Sequence, residues 1–152
     1  MKVFLGGTCG ESTWREELIP ILKSSGVDYV DPVVRGRKRV AADQSKEIKE
    51  RESCDLVLYC ITPDIRGVYS IAEVIDDSNK RPKKTLYFFF DETEDKKYPL
   101  KGMDFSLKEV GQMVRRNGGT WFDTYEDMVE YFKTLNERVE KERIKEALAY
   151  TE

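Results

Sequence analysis

The apolar positions along the chain fall into five short runs, separated by stretches of helical periodicity. Lys2–Leu5 reads as a first strand, closed by a tight turn at Gly6-Gly7-Thr8. Thr13-x-x-Glu16 is a capping-box pattern that opens a helix through about Ser24, with Pro20 inside it as a site for a kink. Val27–Val34 reads as a second, proline-interrupted strand, followed by the basic loop Arg35-Gly-Arg-Lys-Arg39 and a polar helix over Ala41–Ser53. Asp55–Ile61 is a continuous apolar run, the signature of a strand covered on both faces. A helix over about Ser70 to Asn79 and a second buried strand over Thr85–Phe90 follow. Ser106-x-x-Glu109 then marks the start of a helix over Phe105–Arg116, and Thr120–Asp123 reads as a short fifth strand. A long helix from about Tyr125 carries an apolar stripe at Met128, Val129, Phe132, Leu135 and Val139.

Strands alternating with helices imply right-handed βαβ units and a parallel sheet. Five of them predict an α/β, flavodoxin-like (Rossmann-like) three-layer sandwich with a parallel sheet in the order 2-1-3-4-5. With 152 residues and no repeat, low-complexity tract or linker, residues 1–152 read as a single domain. Ligands of such sheets bind beyond the carboxyl ends of the strands, where the strand order reverses. Here that point lies between strands 1 and 3. It selects two loops, Gly6–Thr13 and Thr62–Glu73.

Composition narrows the chemistry. Charged residues make up 36% of the chain at a net charge of −3, which gives no overall pull towards nucleic acid or an anionic membrane. No apolar run approaches the roughly 20 residues of a membrane helix, and the start of the chain runs straight into a strand, so the cytoplasm is the expected location. The three cysteines are odd in number and form no CxxC pair, which argues against a disulfide framework or a zinc site. Cys54 and Cys60 read as buried thiols; Cys9 stands in the first of the two loops. Histidine is absent, so Ser-His-Asp and Cys-His relays and His-ligated metals are excluded. An acid, base or nucleophile of this chain is then first of all a carboxylate, with tyrosine, lysine and cysteine as lesser options. No cofactor or metal is expected.

In the first loop, Gly6-Gly7-Thr8-Cys9-Gly10 allows close backbone approach to a ligand, with amides facing an anion or a sugar. It is neither a GxGxxG nor a P-loop, and an ordinary tight turn has the same composition. The second loop sets Glu73 in the first turn of a helix at the carboxyl edge of the sheet. Two readings of Glu73 follow. Ser70-x-x-Glu73 is a capping box in which the carboxylate folds back onto the Ser70 backbone. Alternatively, the helix N-terminal field keeps Glu73 ionised, which suits a nucleophile. Ser70 either caps or bonds the nucleophile or a sugar hydroxyl. Trp14 and Tyr69 either pack or flank a base or sugar. The basic loop Arg35–Arg39 is either solvated or offers its arginines to a 5′-phosphate, and Lys80–Lys84 separates a helix from the fourth strand.

Val3-Phe-Leu-Gly-Gly-Thr8, Glu11-Ser-Thr-Trp-Arg15, Leu18-Ile-Pro20, Cys54-Asp55 and Leu58-Tyr-Cys-Ile-Thr-Pro63 resemble the nucleoside 2-deoxyribosyltransferase-like family. The most specific stretch is Gly67-Val-Tyr-Ser-Ile-Ala-Glu-Val74, with Asp76-Asp-Ser-Asn-Lys80 after it; the likeness covers roughly residues 1–90. The resemblance implies a flavodoxin-like enzyme acting on the N-glycosidic bond of deoxynucleosides or their nucleotides. A glutamate opening the helix after strand 3, here Glu73, attacks the anomeric carbon and the base leaves. A second base or water then releases the sugar from the covalent glycosyl-glutamate, the two-step retaining logic of glycosidases. Other acids of the family contact the base. One stands eight residues before the aspartate that opens strand 3, which is Glu47 counted from Asp55. Another stands six residues before the nucleophile, where this chain has Gly67, and Asp64 is near enough to protonate the base instead.

The expected site is therefore Glu73, Asp64 and Glu47 as catalytic groups, with Gly6, Gly7, Thr8, Trp14, Gly67, Tyr69 and Ser70 binding substrate. The expected partners are a small nucleoside or nucleotide and further copies of the chain, as a homodimer or higher homo-oligomer, with no nucleic acid and no membrane. The stripe of the last helix is the surface expected to serve self-association. Two other functions stay open: an NAD glycohydrolase-like activity, and a non-catalytic nucleotide-binding or interaction module.

Overall fold

A computed structural model describes residues 1–151. Five strands, β1 (Lys2–Gly7), β2 (Asp28–Val30), β3 (Leu56–Ile61), β4 (Thr85–Phe89) and β5 (Thr120–Trp121), form one all-parallel sheet in the order β2-β1-β3-β4-β5. The helices are α1 (Trp14–Ser24), α2 (Ala41–Ser53), α3 (Tyr69–Lys80), α4 (Met103–Arg116), α5 (Tyr125–Lys133) and α6 (Leu135–Ala149), with a single 3₁₀ turn at Pro82–Lys84. The predicted three-layer α/β fold and its strand order are those observed.

The period of two along each strand divides the core into two clusters. Val3, Leu5, Leu58, Cys60, Leu86 and Phe88 face one side of the sheet, against Trp14, Leu18 and Leu22 of α1 and Met128 and Phe132 of α5. Phe4, Val57, Tyr59, Ile61, Tyr87 and Phe89 face the other, against Val74 of α3 and Leu107 and Val114 of α4. All six residues of β3 are buried, as expected of a central strand with helices on both faces.

Several local expectations are corrected. β2 spans three residues rather than the stretch to Val34, because Pro32 has no N–H for the ladder and Asp31 caps a turn by accepting from the Val33 amide at 3.1 Å. α1 runs unbroken through Pro20. The long terminal helix is two helices, divided at Thr134, whose hydroxyl donates to the Glu130 carbonyl at 2.9 Å, a local bond that bends helices. Four of the five residues of its stripe are spent inside the domain: Met128, Phe132 and Leu135 belong to the core and Val139 packs against it, while Val129 is half-buried outside these clusters. Those four are not available as a self-association face. No helix among the described residues is long and apolar enough to cross a membrane.

None of the three capping boxes forms. Thr13 precedes α1 with φ −106° and ψ 7°, which does not aim its hydroxyl at the helix amides, and Ser106 lies inside α4, which opens after Gly102. Ser70 lies inside α3, which opens after Val68. An extended residue before a helix does cap: Thr124 (φ −130°, ψ 156°) accepts from the Asp127 amide at 3.1 Å.

Candidate active site

The turn after β1 is set by close backbone contact. Gly7 has φ +106°, and a Cβ there would lie 2.0 Å from the Cys60 carbonyl oxygen of the neighbouring strand. This brings the two loops at the switch point together. The Thr8 amide donates to the Cys60 carbonyl and the Thr62 amide donates to the Thr8 hydroxyl, both at 2.9 Å. The hydroxyls of Ser12 and Thr62 lie 3.1 Å apart.

Buried side chains hold the first loop from behind. Arg15 donates to the Leu5 carbonyl from Nε (3.0 Å) and Nη2 (2.9 Å), and to the Thr8 carbonyl from Nη1 (2.7 Å). Burial lowers its pKa from the usual arginine value. Trp14 is 3% exposed and its indole N–H donates to the same Thr8 carbonyl at 2.9 Å. Trp14 thus lies in the core under the loop and is not part of the cavity wall.

A cavity of about 520 Å³ opens over these loops. Gly6, Gly7 and Thr8 form one wall, Gly67, Tyr69, Ser70 and Glu73 another, and Asp64, Glu47 and Arg39 stand around it. Nine of the ten residues expected from the sequence therefore come together, Trp14 being the exception.

Glu73 is 6% exposed and does not fold back on Ser70; its Oε2 accepts from Arg51 Nη1, on α2, at 2.5 Å. Its Oε1 has no hydrogen-bond partner and is not a sealed atom, so it faces the cavity. Burial raises the pKa of Glu73, the Arg51 bond opposes that rise, and the charges of Glu47 and Asp77 add to it. Arg51 is anchored in turn by Asp77, which is fully buried: Nε lies 3.4 Å from Asp77 Oδ2, and the Tyr59 hydroxyl donates to that same oxygen at 2.5 Å. Arg81 closes the chain through Asp77 Oδ1.

The remaining acids have cations of their own. Arg39 bonds Glu47, and Lys96 Nζ lies 3.0 Å from Asp64 Oδ1. Tyr69 is 55% exposed at the cavity rim and its hydroxyl accepts from Gln44 Nε2 at 2.9 Å. The other arginines of the basic loop are tied locally, Arg35 to Asp31 at 2.9 Å and Arg37 to Asp43 at 2.7 Å. Cys9 lines the cavity and is exposed, whereas Cys54 and Cys60 are buried, as read from the sequence.

Arg51, Arg15 and Gln44 escaped the sequence reading. A signal for Arg51 was present: Glu47 and Arg51, and Glu73, Asp77 and Arg81, recur at intervals of four, which places each set on one helix face.

No curated protein matches the chain. The family model described as nucleoside 2-deoxyribosyltransferase like matches residues 1–87, a stretch that holds every residue of the cavity wall named above. By that match over more than half of its length, the chain belongs to the nucleoside 2-deoxyribosyltransferase-like family.

Proposed function

We propose that the protein cleaves or transfers at the N-glycosidic bond of a (deoxy)nucleoside or nucleoside monophosphate, with Glu73 as nucleophile. The observation that carries this reading is the placement of Glu73. It stands on a cavity at the sheet's switch point, free of its own helix cap, with one carboxylate oxygen engaged by Arg51 and the other open. Family membership supports the same bond and substrate class.

In this mechanism Glu73 Oε1 attacks C1′, the C1′–N bond breaks, and its electron pair leaves with the base. Water or a second base then attacks C1′ and frees the carboxylate. Burial suits such a nucleophile, since a carboxylate stripped of water binds its solvent shell less strongly while Arg51 limits the cost in charge. Glu47 and Asp64, which line the cavity, serve in this reading as the acids that contact the base, and Ser70 and the Gly6–Thr8 backbone as contacts to the sugar. Arg39 and Arg66, also on the cavity, suit a 5′-phosphate.

A second reading rests on the pairing of Asp64 with Lys96 and on Gly67, which supplies no side chain. Lys96 occupies one oxygen of Asp64, and no side chain stands at position 67 to contact the base. That arrangement favours a leaving group that departs neutral without protonation, such as the pyridinium of NAD.

The test is incubation of the protein with each deoxynucleoside, deoxynucleoside monophosphate and NAD, with and without acceptor base, followed by chromatography. Release of base without an acceptor identifies a hydrolase; exchange only with an acceptor identifies a transferase. Glu73→Gln should lose at least about 1,000-fold in rate. Equal base release by wild type and Glu73→Gln would end this reading, and binding of a nucleotide without turnover would indicate a non-catalytic module.

A further inference from the structure

We propose that Arg51 is the positioning residue of the site: anchored from behind by Asp77, it fixes the Glu73 carboxylate with Oε2 engaged and Oε1 presented to the cavity. The inference rests on Glu73 as the reacting carboxylate, the reading given above.

Glu73, Asp76 and Asp77 lie at i, i+3 and i+4 on α3 and share one face. Alone, three carboxylates on one face, two of them buried, repel one another. Arg51 is the single cation that reaches all three: Nη1 lies 2.5 Å from Glu73, Nη2 lies 3.6 Å from Asp76, and Nε lies 3.4 Å from Asp77. The guanidinium is planar and its donors diverge in fixed directions; with Nη1 bonded to Glu73, Nη2 and Nε meet Asp76 and Asp77 as charge contacts that hold the plane of the fork.

Asp77 is itself held on both carboxylate oxygens. It is fully buried, takes the Tyr59 hydroxyl on Oδ2 at 2.5 Å, and takes Arg81 on Oδ1. Tyr59 belongs to β3, the central strand, so the orientation of Glu73 is referred back to the sheet rather than to its own loop. The alignment favours Glu73 over Asp77: Arg51 Nε is buried without a well-aligned hydrogen bond, while the bond from Nη1 to Glu73 is short. Arg51 is buried at the end of α2 away from the cavity and is absent from its lining, so it does not touch the substrate. It acts through Glu73.

The charged and titratable groups nearest Glu73 are Arg51 and Glu47 from α2, Asp76 and Asp77 from α3, and Tyr59 from β3; Cys9, Glu11, Arg15, Arg39, Asp64, Arg66 and Tyr69 line the same cavity. Of these Arg51 is the cation bonded to the carboxylate, so its loss moves Glu73 in one direction, upward.

The experiment is a ¹³C NMR titration of the Glu73 side-chain carboxyl in the full chain, its signal identified by its absence in Glu73→Gln. Wild type, Arg51→Met and Arg51→Lys are compared. The Glu73 midpoint should rise by about 1 unit or more in Arg51→Met. It should rise less in Arg51→Lys, which keeps the charge but loses the fork. On whichever substrate the turnover screen identifies, kcat should fall about 100-fold in Arg51→Met with KM nearly unchanged, and Arg51→Lys should recover part of the loss. Should Arg51→Met fail to fold, Arg51→Lys alone decides: a raised midpoint supports the proposal. A Glu73 midpoint that stays at its wild-type value in every folded variant overturns it. The titration needs no substrate, so this outcome is separate from a failure of the catalytic reading, which Glu73→Gln reports.

Discussion

Lys96 Nζ stands 3.0 Å from Asp64 Oδ1, which ties the loop after β4 to the acid at the mouth of the cavity. Lys96 lies beyond the stretch matched by the family model, so a segment outside the matched region contacts a group inside it. Nearby, Gly67 is open: a Cβ there meets nothing within 4 Å, and its φ is not in the left-handed region. The site therefore has space for an acid at position 67, while its nearest acid is engaged elsewhere.

Gly67→Asp should fold like wild type and raise turnover of neutral purine or pyrimidine deoxynucleosides by about 100-fold, the scale of general-acid assistance. Thermal unfolding and the chromatographic assay read the two effects. An unchanged rate in a folded variant would show that base protonation does not limit the reaction. Lys96 is largely exposed, so Lys96→Ala should change stability by no more than about 0.5 kcal/mol.

The pH dependence follows from Glu73. Burial raises its folded pKa above the ordinary 4.5, and the nucleophile is the ionised form. The acidic limb of kcat/KM should therefore have its midpoint above 4.5. The stability sign is opposite to that of a salt-bridged carboxylate held below its ordinary value. The folded state binds this proton more tightly than the unfolded one, so the contribution of Glu73 to stability falls as pH rises from the unfolded to the folded value. Urea denaturation of wild type and Glu73→Gln across that window should show a pH slope in the first that is smaller in the second.

Trp14 separates scaffold from ligand contact. Its ring is in the core and its N–H bonds the Thr8 carbonyl, which Arg15 also bonds. Trp14→Phe should cost about 1–3 kcal/mol in chemical denaturation and leave KM within about twofold of wild type. A KM raised tenfold in a variant of undiminished stability would place the ring against the substrate instead.

Gly7 has no tolerated substitution. Its φ of +106° and the 2.0 Å approach of a Cβ to the Cys60 carbonyl put any side chain into the backbone of β3. Gly7→Ala should destabilise by about 4 kcal/mol or more, through both strain and the lost pairing of the two site loops. Circular dichroism with urea denaturation checks it.

The five apolar runs and the helical periods between them determined the sheet order, because alternation and the handedness of βαβ units leave few topologies open. The switch-point rule then located both loops of the cavity, and the absence of histidine directed attention to carboxylates. Those inferences depend on local periodicity and on residue types, which the chain carries in plain order. The contacts that tertiary structure decided are different in kind. Whether Ser70 caps its helix depends on the backbone angles of Val68, and whether Trp14 faces a ligand or the core depends on where α1 settles on the sheet. Glu73 meets Arg51 across 22 positions because the long side chain of Arg51, on α2, reaches over to α3. Spacing by four shows that residues share a face of one helix. It does not say which other face will lie opposite, since that is set by where the connections of the fold put each helix; α2 buries only Glu47 and Arg51, so no apolar pattern announces its place.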